Sequence, residues 1–303
     1  MKEIIRITIG LTISCLIAAF VMGAVFTVTN KAKKRNEHMD LQNTMTGLLG
    51  YSESNPPPSD LRLHAVYRYI IEDGQSRYLG YVVPVIEHGK ESYQLLIVDP
   101  DGILLERAKL DMDPERAIEI IEREKALEEV IKPPKVFYYA DSFIVATLGK
   151  RRLAYLLPGE FPGFKTFIKV MVALSPDFEI RGLEILEQEE DPGLGGEIVQ
   201  DYFKNQFVGK SFEKLKRLKV IKKPLPEDYR RYLERRKYKG NFTEEQIREI
   251  QKKYKDSDIY ALTGATISSK AVTSGIRNMV KKFAYREKML ERILAQQRVV
   301  AAF

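Results

Sequence analysis

One cysteine and three histidines in 303 residues leave little material for metal or thiol chemistry. Cys15 stands alone inside an apolar run, so neither a disulfide framework nor a thiolate metal site can be assembled. His38, His64 and His88 are scattered, without helical or metal-ligand spacing. No acid–base dyad, nucleophile–base pair or G-x-G-x-x-G dinucleotide loop is evident either. What remains is 44% hydrophobic and 30% charged residues, the balance of a folded chain with a substantial core.

Charge is missing from one long stretch. Residues 7–28 (ITIGLTISCLIAAFVMGAVFTV) carry none. At ~1.5 Å per residue a helix of that length covers roughly 33 Å, enough for a bilayer core. The run continues past its small residues, unlike a cleaved signal, so a retained single-pass anchor over 1–30 is expected. Lys2 and Arg6 precede it; Lys31, Lys33, Lys34 and Arg35 follow. A bare count of positive charge keeps the downstream domain in the cytoplasm, but long hydrophilic domains translocate regardless of nearby charge.

The net charge of +7 is concentrated as well. Residues 211–255 hold 16 Lys/Arg against 7 Asp/Glu, which leaves the rest of the chain slightly acidic. Globally basic charge would point to nucleic acid, which this distribution does not. A single basic segment reads as one docking surface or as a solvated helical hairpin.

Residues 31–60 form a polar stalk ending in the proline-rich SNPPPSD, an extended spacer. Strand-like runs begin near Leu61. Asp113 and Pro114 open a predicted helix through DPERAIEIIEREKALEEVI, with Ile118, Ile121, Ala126 and Val130 as its apolar stripe. Residues 61–150 therefore read as an N-terminal α+β part, and 151–303 as a second part with 211–255 as a basic helical insertion. Within that second part, 155–186 echoes 81–110. Both have Tyr-aliphatic-aliphatic-Pro, an apolar strand, a Pro-Asp turn and another strand. A decayed duplication and two hairpins of similar build both account for it. A helix is expected from Glu197. Thr243 and Gln246 make a capping box opening another to about Tyr254.

Two short stretches draw attention. In EDPGLGGE, Gly193, Gly195 and Gly196 mark a sharply turning loop. In LTGATISSKAV, Thr263, Gly264, Ala265 and Thr266 precede a helical repeat of Val272, Ile276, Met279, Val280 and Phe283. Leu290, Ile293 and Leu294 extend it as a stripe suited to a partner. Thr263, Thr266, Ser268 or Ser269 could simply cap the helix. The same helix start also favours a phosphate, with uncrowded backbone at Gly264 and Ala265 and Lys270 one turn away.

The two motifs in this order, behind the strands of FIKVMVALSPDFEIRGLEIL, resemble the FMN-binding domain family. That family includes the G subunit of the Rnf electron-transport complex and the C subunit of the sodium-translocating NADH:quinone oxidoreductase. The resemblance implies an α+β domain with a twisted, mainly antiparallel sheet flanked by helices, lying outside the cytoplasm behind one membrane helix. It implies FMN joined by a phosphoester to Thr266, installed by a separate flavin transferase from FAD. Thr263, Gly264, Ala265 and Ser268 would surround the attachment. Glu190, Pro192, Gly193, Leu194 and Gly195 would lie against the flavin, with Leu194 touching the ring. No residue would act as a catalyst and no metal would bind. The chain would be an electron relay among other membrane subunits of an ion-translocating ferredoxin:NAD oxidoreductase. Two alternatives remain: a flavinylated relay in another extracytoplasmic path, and a membrane-anchored interaction protein without flavin. The sequence departs from the family at Asp191, where threonine is usual, and at Tyr260. An acidic residue that guides the transferase usually stands at the latter position.

Overall fold

A computed structural model describes residues 2–87, 89–234 and 242–303; His88 and residues 235–241 of the basic stretch lie outside the described residues. The chain divides into two compact units, 1–52 and 53–303. The first is dominated by helix α1 (Lys2–Leu48), which runs unbroken from the apolar stretch into the stalk. Its segment Ile4–Gly23 is long and apolar enough to cross a membrane.

The second unit is α+β and is built on an eight-stranded sheet. Its first four strands are β1 (Leu61–Asp73), β2 (Ser76–Glu87), β3 (Lys90–Val98) and β4 (Leu104–Leu110), followed by helix α2 (Ile120–Val130). Then come β5 (Val136–Leu148), β6 (Arg151–Pro162), β7 (Phe167–Leu174) and β8 (Ile180–Glu187). The order is β4-β3-β2-β1-β5-β6-β7-β8, and every neighbouring pair is antiparallel. Two four-strand meanders thus meet at β1 and β5. The repeated Tyr-aliphatic-aliphatic-Pro falls on the second strand of each: Tyr81 and Tyr155 are both buried, in β2 and β6.

The rest of the unit is helical. It contains a 3-10 turn (Gly195–Val199), α3 (Asp201–Lys204), α4 (Phe212–Leu215), β9 (Val220–Ile221) and α5 (Glu227–Leu233). After these come α6 (Glu244–Tyr254), β10 (Ile259–Tyr260) and the 31-residue α7 (Thr266–Gln296). Helix α6 carries the expected capping box of Thr243 and Gln246. The helix expected from Glu197 is instead a 3-10 turn and a short α3, separated at Gln200, whose backbone is extended.

Alternation along the strands gives the sheet two apolar faces. On one, Val66, Phe143, Val145, Tyr155, Leu157 and Val172 pack against Val272, Ile276, Val280 and Phe283 of α7. Phe283 sits edge-on to Phe143 and Tyr155, with ring centroids 5.1 and 4.9 Å away. Leu290, Ile293 and Leu294, expected to be available to a partner, belong to this same core. Helix α7 can approach so closely because Gly275 rests on the Phe161 ring, where a β-carbon would collide with it. Farther along, Glu287 accepts hydrogen bonds from Tyr155 and Arg152, and burial raises its carboxyl well above the usual range.

On the other face, Tyr69, Ile71, Val82, Leu95 and Ile97 meet Ala126 and Leu127 of α2. The single helix expected from Asp113 is broken. Asp113 caps as expected, accepting from Glu115 N at 3.0 Å, but the 3-10 turn it opens ends at Arg116. Buried Arg123 then takes the carbonyls of Ala117 and Ile118 at 2.7 and 2.8 Å, while lying 3.9 Å over the Tyr67 ring. Those carbonyls are lost to a continuous helix, the chain is extended at Glu119, and the next helix starts with a different face inward. Ile118 and Ile121, expected inside, are exposed.

Beyond Val82, β2 outruns its pairing with β1, and residues 300–302 take up the vacant edge. Ala302 N donates to Pro84 O and Ile86 N donates to Val300 O, each at 2.9 Å.

Placing a methyl group at the closest α7–sheet contact should be costly: Gly275→Ala is expected to destabilise by about 2 kcal/mol. Thermal unfolding of the variant should begin roughly 4–8 °C lower. A second expectation concerns buried Lys210, whose amine donates to Tyr254 O and Lys255 O at 3.0 Å each, at the end of α6. Burial pushes its pKa down to about 8 from 10.5, so the native chain holds that proton less tightly than the unfolded one. Its contribution to stability therefore rises with pH between those values and is lost as pH falls through about 8. Urea denaturation from pH 8 to 10 should show that rise in the wild type and lose it in Lys210→Met.

Candidate functional site

The site is held by a buried carboxylate. Glu190 lies just after β8, and its Oε1 accepts from Phe164 N at 2.8 Å and Lys165 N at 3.1 Å. Its Oε2 accepts from Ser268 Oγ in the first turn of α7. One side chain, 5% exposed, therefore ties the β6–β7 turn, the glycine loop and the helix start together. Gly195 is required at this junction, since a β-carbon there would lie 2.6 Å from Ser268 Oγ and 2.8 Å from Glu190 Oε2. Lys165 and Asp191 add a surface ion pair at 2.5 Å.

The loop itself is wound by its backbone: Leu194 N and Gly196 N both donate to Asp191 O, at 3.1 and 2.9 Å. Gly193 takes the left-handed conformation, φ +74°. Pro192, Gly193 and Leu194 face outward. Leu194 meets Gly264, also left-handed at φ +75°, so closely that a β-carbon on Gly264 would lie 2.8 Å from Leu194 Cδ2. The two motifs separated by some seventy residues are thus in contact.

None of the four hydroxyls caps α7 in the ordinary way. Ala265 is the N-cap residue, with no side-chain cap. Ser269, fully buried, accepts from Leu262 N at 3.0 Å and donates to Ala265 O at 2.9 Å, which closes the turn ahead of the helix. Ser268 is spent on Glu190. The hydroxyls of Thr263 and Thr266 have no hydrogen-bond partner among the described residues. The first bond into the helix is Ser269 N to Ala265 O, so the N–H groups of Thr266, Ile267 and Ser268 have no acceptor among the described residues. No acidic side chain stands in this first turn, and Lys270 is exposed one turn on. A threonine hydroxyl beside three unpaired N–H groups at a positive helix end fits a phosphate group esterified to that threonine.

A cavity of about 350 Å³ adjoins these residues. Gly193, Leu194 and Glu197 form one wall, Tyr260, Leu262 and Thr263 a second, and Tyr202 and Gln206 of α3 and the turn after it a third. Pro224, Leu225 and Arg230 of the basic stretch complete it. That stretch is not a solvated hairpin: Tyr229, Tyr232, Leu233 and Tyr254 form a small core that also reaches Tyr202 and Tyr260. Tyr229 and Tyr254 stack at 4.1 Å. Its parallel β9–β10 pair brings it against the motif strand. Gln206 fixes the same strand by accepting from Tyr260 N at 2.7 Å and donating to Tyr260 O at 3.3 Å. A larger cavity, about 850 Å³, lies along α7 from Ala271 to Arg286 and touches none of the motif residues.

The structure therefore brings together Glu190, Gly195 and Ser268, and separately Leu194 with Gly264; Thr263 and Thr266 flank the latter contact. Of the residues expected against a ligand, Gly193, Leu194 and Thr263 line this cavity; Pro192, Gly264, Ala265 and Thr266 lie outside its lining, and Glu190, Gly195 and Ser268 meet one another at the junction of loop and helix. The sequence marked Ser269 only as a cap of the helix; Gln206, Tyr202 and Arg230 carried no signal, because they depend on chain crossings that no local pattern records. The nearest acidic residue upstream of Tyr260, Asp258, is engaged by Lys214 at 2.7 Å.

Residues 163–281 match the model of the FMN-binding domain family. The G subunit of the proton-translocating ferredoxin:NAD(+) oxidoreductase complex of Clostridium ljungdahlii is 31% identical over 137 residues, 45% of this chain and 57% of that one. The G subunit of the Na(+)-translocating ferredoxin:NAD(+) oxidoreductase complex of Acetobacterium woodii is 30% identical over 125 residues, 41% of this chain and 46% of that one. The chain spans about half the length of the curated relatives it matches. Among solved structures, NqrC of Shewanella oneidensis aligns with 45% of this chain and 54% of its own at 19% identity, TM-score 0.33. The C subunit of the Na(+)-translocating NADH-quinone reductase of Parabacteroides distasonis aligns with 66% and 77% at 18% identity, TM-score 0.34.

Removing the central carboxylate leaves the buried Ser268 hydroxyl and the partly buried N–H groups of Phe164 and Lys165 without their acceptor. Glu190→Ala is expected to cost about 3 kcal/mol in urea denaturation, with Glu190→Gln losing less because its amide oxygen still accepts.

Proposed function

We propose that the FMN-binding segment 163–281 makes this chain a membrane-anchored flavin carrier, with FMN joined through its phosphate to Thr266 Oγ1. The carrying observation is the helix start of α7. Thr266 there has an unengaged hydroxyl beside three open N–H groups, directly behind the Leu194–Gly264 contact. In the attachment, a flavin transferase moves FMN from FAD. The threonine oxygen–phosphorus bond forms, the pyrophosphate bond breaks, AMP leaves and the hydroxyl proton passes to solvent.

The chain's own residues perform the holding. The open N–H groups and Lys270 neutralise the phosphate, and Leu194, 45% exposed, offers an apolar surface to a ring. Glu190 and Ser268 keep loop and helix in register, so those contacts stay formed when nothing is bound. The cofactor supplies reversible electron exchange; the protein supplies position, permanence and local charge.

The curated relatives are G subunits of ferredoxin:NAD(+) oxidoreductase complexes that translocate protons or sodium ions. We assign this chain the corresponding role, an electron relay among other membrane subunits of an Rnf-type complex. Its 53–303 unit would lie outside the cytoplasm, and α1 would cross the inner membrane once. One observation favours a second reading. Tyr260 stands where an acidic residue would guide the transferase, and Asp258 is tied to Lys214, which suits an interaction protein that carries no flavin.

The deciding experiment is flavin fluorescence on a denaturing gel after co-expression with a transferase proven on a control substrate. The expected result is a fluorescent wild-type band that disappears in Thr266→Ala. A band retained by the variant would move the attachment elsewhere, and a dark wild-type band would leave the interaction-protein reading.

A further inference from the structure

We infer that the basic stretch serves the flavin site electrostatically: Arg230 raises, and Glu197 lowers, the reduction potential of a flavin held at Thr266. This rests on the covalent-FMN reading above and adds a function for a segment that the reading leaves unexplained. Among the described residues lining the 350 Å³ cavity, Arg230 is the sole cation and Glu197 the sole anion. The cavity shares Leu194 and Thr263 with the attachment site, so a ring leaving Thr266 toward Leu194 meets it.

Both charges are fixed by one support, the Tyr202 ring. The Arg230 guanidinium lies 4.6 Å over that ring, and its Nε is 3.4 Å from the Glu234 carboxylate. Glu197 Oε2 accepts from the hydroxyl of the same tyrosine at 3.0 Å. Tyr202 is fixed in turn by α3, where Gln206 Nε2 donates to its carbonyl at 3.2 Å. Across the cavity, Gln206 and the β9–β10 pair hold the motif strand. Each charge thus has a partner outside the cavity's open space, and both border that one space.

Reduction of a flavin near neutral pH leaves the ring with one extra negative charge. In a titration, dithionite supplies the two electrons and solvent the one proton. A nearby guanidinium favours that state and a nearby carboxylate opposes it. With the Arg230 side chain 48% exposed, solvent screens the effect. Removing either charge should change the reduced-to-oxidised ratio at a fixed ambient potential about tenfold, or about 30 mV for a two-electron couple.

The test is a spectroelectrochemical dithionite titration of the flavinylated full chain as wild type, Arg230→Gln, Arg230→Lys and Glu197→Gln. Expected are a more negative potential in Arg230→Gln, a wild-type value in Arg230→Lys and a more positive one in Glu197→Gln. Opposite signs cannot arise from general loosening of the site. Potentials that stay within twofold of the wild-type ratio, or that move the same way in both charge-removing variants, overturn the inference. If Arg230→Gln does not fold, Glu197→Gln decides alone: an upward shift supports it and no shift overturns it. A dark wild-type band on the gel defeats the covalent reading together with this one. A fluorescent band with unmoved potentials defeats only this one.

Discussion

Everything around the two motifs depends on a carboxylate that has been taken out of water. Glu190 would be costly to bury alone, and three donors offset that cost, two backbone N–H groups and a serine hydroxyl. Because the donors come from the β6–β7 turn and from α7, meeting Glu190's requirement positions both elements. The loop that follows then has little freedom: Gly195 must lack a side chain, and Leu194 is carried onto Gly264. Geometry suited to a ligand is thus produced by a group that need not touch one.

The sheet supplies the rigidity that this arrangement needs. Helix α7 is clamped along its length by Val272, Ile276, Val280 and Phe283, with Gly275 against Phe161. Its first turn, which carries Thr266 and Ser268, is therefore the end of a fixed rod rather than a mobile loop. A functional group placed on such an element keeps its position to within the tolerance of core packing.

The local parts were legible in sequence, and the crossings were not. The α6 capping box, the Asp113 cap, the α7 stripe and the left-handed glycines are written in residues a few positions apart, where short-range rules apply. The Tyr-aliphatic-aliphatic-Pro echo also fell on equivalent strands of the two meanders. Failures came where a distant side chain outbid the helix. Arg123 captured the carbonyls of Ala117 and Ile118 and reversed which isoleucines face out. At the site, hydroxyls read as caps turned out to be fasteners, because a partner near residue 190 changes what Ser268 does. Gln206 and Arg230 had no signal, since their importance comes from the insertion folding back on β10.

The pairing of residues 300–302 with β2 has a kinetic consequence. Its partners, Pro84 and Ile86, lie roughly two hundred residues earlier, so closing that loop is entropically expensive until α7 has docked. During synthesis the far end of β2 must therefore wait as an open edge while the remainder of the sheet assembles. An open edge is a template for any strand that drifts by. The proline within it, which offers no N–H, makes that template poorer for strangers while leaving its carbonyl ready for Ala302.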